Sequence, residues 1–378
     1  MVNSKYKTEK ISKVCEKINP SKTELASVPK NTLVSFVDME SISTNGFIQK
    51  KEEIELDKLS GSYTYFKEGD VVIAKITPCM ENGKCALATG LSNGIGMGSS
   101  ELHVFRAGEK VLNSYLFAYL NRSVVRKYAE YNMTGASGHR RVPIDFYEDL
   151  QIPVPDKKIQ QKVVDECNKA DMAYNEAIKS NEVLFAKIEA LIDSTTGKTK
   201  KLGSVAPFAT ERVLSSDIDI ESYVTTDNML PNFGGCREYV GGLSGESVMS
   251  YKKGDILISN IRPYLKKIWY ADRDGGCSPD VLIFRVKNEK EILPKFLYYT
   301  LKRQQFFDWI MSDVSGMKMP RGDKDTILAY SVTVPDINAQ KDIINKIEAM
   351  EALIGKNNII IDDYPEKKDI IIKQLLLL

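Results

Sequence analysis

One ten-residue phrase occurs twice in this chain. GDVVIAKITP (Gly69–Pro78) returns as GDILISNIRP (Gly254–Pro263). Further echoes keep the same order. Ser99–Arg106 (SSELHVFR) is answered by Ser278–Arg285 (SPDVLIFR), and Ser114–Asn121 (SYLFAYLN) by Lys295–Lys302 (KFLYYTLK). A Ser-Gly followed by basic residues and a proline spans Ser137–Pro143 and again Ser315–Pro320. LQIPVPDKKIQQKVV is answered by YSVTVPDINAQKDII, with Pro155 matching Pro335 and Gln160 matching Gln340. The shifts stay between 177 (Pro143 to Pro320) and 185 (Gly69 to Gly254). Such order at a near-constant period is the signature of an internal duplication. The chain therefore folds as two versions of one unit. Each is strand-rich, of roughly 150 residues, and followed by a helix.

The first of those helices is read from Lys157–Asp193, which holds neither Pro nor Gly and follows the start signal Pro155-Asp156. Val163, Cys167, Ala170, Tyr174, Ala177, Asn181, Leu184, Ile188 and Leu191 succeed one another at steps of four and three, a coiled-coil seam. At 1.5 Å per residue such a helix is ~55 Å long. The second seam starts near Ile337 and runs through Ile343, Ile347, Met350, Ile354, Asn357 and Ile361. Pro365 is expected to interrupt it and leave Glu366–Leu378 as a separate helical segment. Each seam lacks a partner on its own, so the simplest arrangement packs one on the other. Pseudo-twofold symmetry makes them antiparallel, with the globular units at opposite ends of the rod. Asn181 and Asn357 on the apolar stripes either fix register and pairing or mark solvated seam positions. The expected class is α+β: two pseudo-repeated globular domains joined by two long antiparallel coiled-coil helices.

Composition removes several classes of function. Six cysteines contain no C-x-x-C pair and there are only two histidines, His103 and His139, which leaves no zinc motif and no disulfide framework. No apolar signal region opens the sequence and its aliphatic runs are short, so a soluble cytoplasmic protein is expected. There is no Pro-Pro, hence no adenine-methyltransferase N/D-P-P-Y/F/W motif, and no G-x-x-x-x-G-K-[ST] phosphate loop. Asn232-Phe233-Gly234-Gly235 reads as a turn. Pro279-Asp280 ahead of Arg285-Val286-Lys287 has the outline of a nuclease core, but Arg285 stands where a carboxylate is needed. The chain reads as non-enzymatic.

What the two copies do share is polarity in two places. Lys75 and Thr77 end the first buried strand, with Asn82 and Lys84 in the following turn. Asn260, Arg262, Tyr264, Lys266 and Lys267 hold the equivalent stretch of the second copy. His139, Arg140 and Arg141 form a second basic cluster, echoed by Lys318 and Arg321. Net charge is only +1, but residues 252–273 carry six basic side chains against two acidic ones. Amide and basic side chains can read base edges or hold phosphates. A shared frame with divergent residues suits two units that read different sequences. Ser99/Glu101 and Ser278/Asp280 read as strand-start turns that could also shape this surface.

GDILISNIRP, SPDVLIFR, MPRGDK ahead of a V-P, and two V-P-x-x-x-x-Q helix starts resemble the specificity (S) subunit of type I restriction-modification systems. The duplicated order carries the resemblance, which spans the whole chain. It implies target recognition domains at 1–156 and 198–336, and conserved helices at 157–197 and 337–378. It also implies partners: double-stranded DNA, two modification (methyltransferase) subunits that carry S-adenosylmethionine, and restriction (motor-nuclease) subunits. No cofactor on this chain and no membrane are implied. HRRVP in the first copy departs from M-P-R-G in the second. The alternatives are the DNA-reading subunit of a two-component, type IIB-like enzyme, and a coiled-coil scaffold that binds no DNA. Val163, Tyr174, Leu184, Ile188, Ile343, Ile347 and Ile354 are the expected seam contacts. Phe185, Leu353, Ile359 and Ile360, on the outer helix faces, are candidates for partner docking.

Overall fold

The computed structural model describes residues 4–136, 138–243, 245–312 and 319–377. Two compact units make up the chain: Met1–Ile178 with Asn358–Leu378, and Lys179–Asn357.

In the first unit, the repeated phrase forms the strand Val71–Ala74, all four residues buried. It lies between Leu102–Ala107 and Cys85–Leu87, antiparallel to both, with Cys15–Ile18 beyond Leu102–Ala107. A second sheet runs Glu52–Glu55, Leu33–Val37, Ile95–Gly98, Thr64–Lys67; its middle pair is parallel. In the second unit, Ile256–Ser259 takes the part of the central strand, between Ile268–Tyr270 and Val281–Phe284. Register is kept: Val71 faces Phe105 as Ile256 faces Phe284. The other sheet shares three strands with its counterpart, Tyr223–Val224 parallel to Gly275–Cys277 and Ser247–Tyr251 on the far side. The fourth strand differs. Arg212–Leu214 is added outside Ser247–Tyr251, whereas Glu52–Glu55 is added outside Leu33–Val37. A common core has thus been extended at opposite edges.

Three polar devices recur in both units. Gly69 and Gly254 sit at φ +84° and +90°, a conformation that disfavours any Cβ. The aspartate after each turns back, Asp70 accepting from the Lys67 amide and Asp255 from the Lys252 amide, both at 2.8 Å. Those carboxylates then hold an arginine from the neighbouring strand through its Nε and Nη2: Arg106 on Asp70 at 2.9 Å each, Arg285 on Asp255 at 2.9 and 3.2 Å from Nε and 2.7 Å from Nη2. A buried charge needs such a partner, and Glu24 and Glu211 complete the two clusters. The third device is the glutamine of V-P-x-x-x-x-Q. Gln160 accepts from the Leu112 amide and donates to the carbonyls of Lys110 and Pro155. Gln340 does the same with Leu293, Glu291 and Pro335.

The long helices are Lys157–Asp193 and Ile337–Leu377. Each is capped by an aspartate, Asp156 and Asp336, whose carboxylate accepts from two first-turn amides. They pack antiparallel within each unit. In the first, Tyr174 stacks on Tyr364 with centroids 4.0 Å apart, and Asp171 meets Lys368 at 2.6 Å. Val163 joins the same buried cluster as Ile372 and Leu376. In the second, Asn357 donates to Asn181 at 2.8 Å, and Ile188 packs in the cluster that holds Ile343 and Ile347. Leu184 and Ile354 are buried on the same stripes.

One expectation fails. Pro365 lies inside an unbroken helix, and the segment from Glu366 is its continuation. Proline removes one helical hydrogen bond and crowds the preceding turn. Here the helix is held on both sides of it. Tyr364 donates to Asp171, Asp369 receives Arg122 at 2.8 Å together with the Ser123 hydroxyl, and Ile372 and Leu376 are buried in the core. Tertiary anchoring overrides the local break.

Candidate nucleic-acid interface

Both polar clusters of each unit meet at one place. In the first unit, Lys75–Thr77 pairs with Arg140–Val142: the Thr77 amide donates to the Arg140 carbonyl and the Val142 amide to that of Lys75. In the second, Asn260–Arg262 pairs with Pro320–Gly322: Arg262 donates to Pro320 and Gly322 to Asn260. Segments some sixty residues apart, Lys75 to Arg141 and Asn260 to Arg321, thus form the same small ladder twice. The Lys75 amide donates to the Glu101 carbonyl, as that of Asn260 does to Asp280. Ser99/Glu101 and Ser278/Asp280 do form strand-start turns, with Leu102 and Val281 donating back to the serine carbonyls. Their carboxylates also reach the ladder. Glu101 takes Arg141 through Nε and Nη2 at 2.9 and 2.8 Å, and Asp280 takes Arg321 at 2.9 Å. The bond to Arg141 holds the Glu101 carboxyl below the usual range.

The remaining candidates divide by direction. Lys84 and Lys267 occupy the same place in the two hairpins, their carbonyls accepting from Ala74 and Ser259. Both ammonium groups point inward, Lys84 to the Met39 carbonyl and Lys267 to that of Thr226. Burial pushes the Lys267 ammonium below its ordinary value. These two lysines staple a loop that follows a parallel strand, a structural task. Thr77 donates to Glu81, which Arg140 also approaches at 3.5 Å. Lys75 is half-buried, while Asn82 and His139 are exposed. Arg262, Tyr264 and Arg321 are exposed as well. Lys266 donates to Gln304 and lies 5.6 Å from the Phe233 ring centroid. Lys318 lies outside the described residues.

Backbone strain gathers here too. Arg262, Lys266, Asn232 and Phe233 all have φ between +51° and +64°, and side chains larger than glycine adopt that region at a cost. The Asn232 amide donates to Leu265 and the Phe233 amide to Lys266, so the Asn232–Gly235 turn is bound onto the basic turn. Among the described residues, buried side-chain oxygens without a partner include Glu81 Oε2 and Asn260 Oδ1, beside the two ladders.

Sequence reasoning placed Glu101 and Asp280 in strand-start turns that could shape this surface and Asn232–Gly235 in a turn, but missed that the carboxylates bind Arg141 and Arg321 and that the turn is bonded to Leu265 and Lys266. The positive φ values carry no sequence signal, since only glycine announces them. Among the described residues no three His, Cys, Asp or Glu side chains lie together as a metal would need. Asp280, of the nuclease-like outline, is engaged by Arg321, and Arg285 by Asp255. Chemically the surface offers hydrogen-bond donors and cations. It fits an acceptor-rich polyanion.

The architecture defines a class: a duplicated, strand-rich fold whose units each carry an antiparallel pair of long-helix segments. Residues 196–362 match the family model for the type I restriction modification DNA specificity domain. The chain is 41% identical to the EcoAI specificity subunit of Escherichia coli over 135 residues, 35% of this chain and 23% of that protein. It is 34% identical to the EcoEI specificity subunit over 169 residues, 43% of this chain and 28% of the relative. These alignments span about a quarter of the length of the curated relatives. Over nearly its whole length, 99%, the chain shares the fold of the type I restriction-modification S subunit from M. genitalium, of which 96% is covered, at TM-score 0.58 and 15% identity.

Proposed function

We propose that the chain is the DNA sequence-recognition subunit of a type I restriction-modification complex. Residues 1–156 and 198–336 are its two target recognition domains, and each reads one half of a bipartite duplex target. The helices at 157–197 and 337–378 set the unread gap and dock the modification subunits. Phe185, Leu353, Ile359 and Ile360 suit that docking because they are large apolar side chains left exposed on helix surfaces. S-adenosylmethionine and the methyl-transfer groups reside on the modification subunits, and cleavage on the restriction subunits. The chain supplies specificity alone and works in the cytoplasm. No membrane contact is part of this reading, and no helix is long and apolar enough to cross a membrane among the described residues.

The observation that carries the reading is the ladder built twice, with an exposed arginine common to both copies, Arg141 and Arg321, beside side chains that differ, Lys75/Thr77 against Asn260/Arg262. A frame kept constant while its outward groups differ is what two unlike half-sites require. Reconstitution with the neighbouring modification subunits tests it. The complex, but neither part alone, should methylate adenines in one bipartite motif, with DNA affinity falling steeply as salt rises. Salt-independent binding, or methylation by this chain alone, would overturn it. Deleting one helical turn from each long helix should shorten the tolerated gap or abolish binding.

A further inference from the structure

Resting on that reading, we infer that Arg141 and Arg321 are the guanine-reading residues of the two half-sites, and that Glu101 and Asp280 are the positioning residues that aim them. Both arginines stand at matching places in the ladder, and both are exposed. Each backbone is fixed by pairing, Arg141 to Thr134 through two hydrogen bonds of 2.8 and 2.9 Å and to Ile76, Arg321 to Ile261. Each side chain is then fixed a second time by its carboxylate.

Donor counting shows what remains. A guanidinium has five N–H groups. Glu101 takes one from Nε and one from Nη2, and the His139 carbonyl one from Nη1 at 3.2 Å. Among the described residues two are left, one on each terminal nitrogen. That pair matches the two acceptors, O6 and N7, on the major-groove edge of guanine. Phosphate oxygens offer a similar pair, but charge argues against them. A guanidinium already neutralised by a carboxylate loses most of its attraction for an anion, while its N–H groups still suit a neutral base edge. A phosphate anchor would be better served by an unpaired cation. Glu101 and Asp280 therefore exchange raw affinity for direction.

The test uses the reconstituted complex and a duplex library randomised in both half-sites. Arg141→Lys keeps the charge and loses the fork. It should lower preference for one guanine in the first half-site by roughly 5- to 150-fold, with the salt slope and the second half-site unchanged. Glu101→Ala should relax that same position by a smaller factor, and Glu101→Gln should recover part of it. Arg321→Lys and Asp280→Ala should act likewise on one position of the second half-site only. Equal loss of affinity for all sequences with a shallower salt slope would mark phosphate contacts and overturn the inference. So would unchanged base preferences in properly folded variants. Failure of the wild-type complex to select any bipartite sequence would instead refute the proposed function.

Discussion

Replacing Gln160 with Ala should strip the first unit of the bolt that fixes its long helix to the strand-rich part of that unit. The side chain is fully buried and makes three hydrogen bonds, at 2.8, 2.9 and 2.9 Å, to Leu112, Lys110 and Pro155. The Pro155 contact is buried, so its carbonyl loses its partner with no water to replace it; the other two are half-buried. A buried group left unsatisfied costs about 1–3 kcal/mol. One full and two partial penalties amount to about 2–5 kcal/mol. For a unit of this size that lowers Tm by about 4–20 °C. Differential scanning calorimetry with urea titration would resolve it. Gln340→Ala should cost the same within ~1 kcal/mol, because its three partners repeat the geometry. Each variant should lower the transition of its own unit. A loss below ~1 kcal/mol for Gln160→Ala would refute the accounting, and unequal losses would refute the equivalence of the two junctions.

Acid should weaken the first unit through Glu24. The contacts of Lys17, Arg106 and Lys67 depress its carboxyl to about 2. A depressed carboxylate contributes stability that is present above its unfolded value and lost as pH falls through the folded one. Urea midpoints should therefore drop between about pH 4.5 and 2, with a flatter decline in Glu24→Gln. Lys84→Ala should cost about 1–3 kcal/mol by orphaning the Met39 carbonyl while leaving the salt dependence of DNA binding intact. Arg140→Ala should do the reverse, reducing the slope of log K against log salt by about 0.9 in a filter-binding titration. A double-mutant cycle across Asn181 and Asn357 should return a coupling of about 0.5–1.5 kcal/mol; additive losses would remove the register role.

The repeat could be read from the sequence because its devices are local. Gly-Asp before a buried strand needs the positive φ and the returning carboxylate within one turn, so both copies had to keep the pair. The four-three rhythm is equally local, and it places Tyr174, Leu184, Ile347 and Ile354 on the packed stripes. Direction was not legible. Lys84 and Arg141 look alike in a charge count, yet one ammonium is spent on a carbonyl of its own fold and the other cation faces outward. What separates them is the partner, and the partners come from far along the chain: Met39 for Lys84, Glu101 for Arg141. Pro365 failed for the same reason, since Asp171 and Arg122 hold the helix across it from segments some two hundred residues away. Local rules thus set which elements form, and long-range polar pairs set where the cationic side chains point. In a duplicated protein those pairs can be found by asking which carboxylates repeat alongside the cations. Glu101 and Asp280 fall at matching strand starts, and Arg141 and Arg321 at matching places in the ladder, three residues away from the register that sets Pro143 against Pro320. A duplicated cation–carboxylate pair marks a side chain held in fixed geometry, inside the fold for Arg106 and Arg285 and at the surface for Arg141 and Arg321.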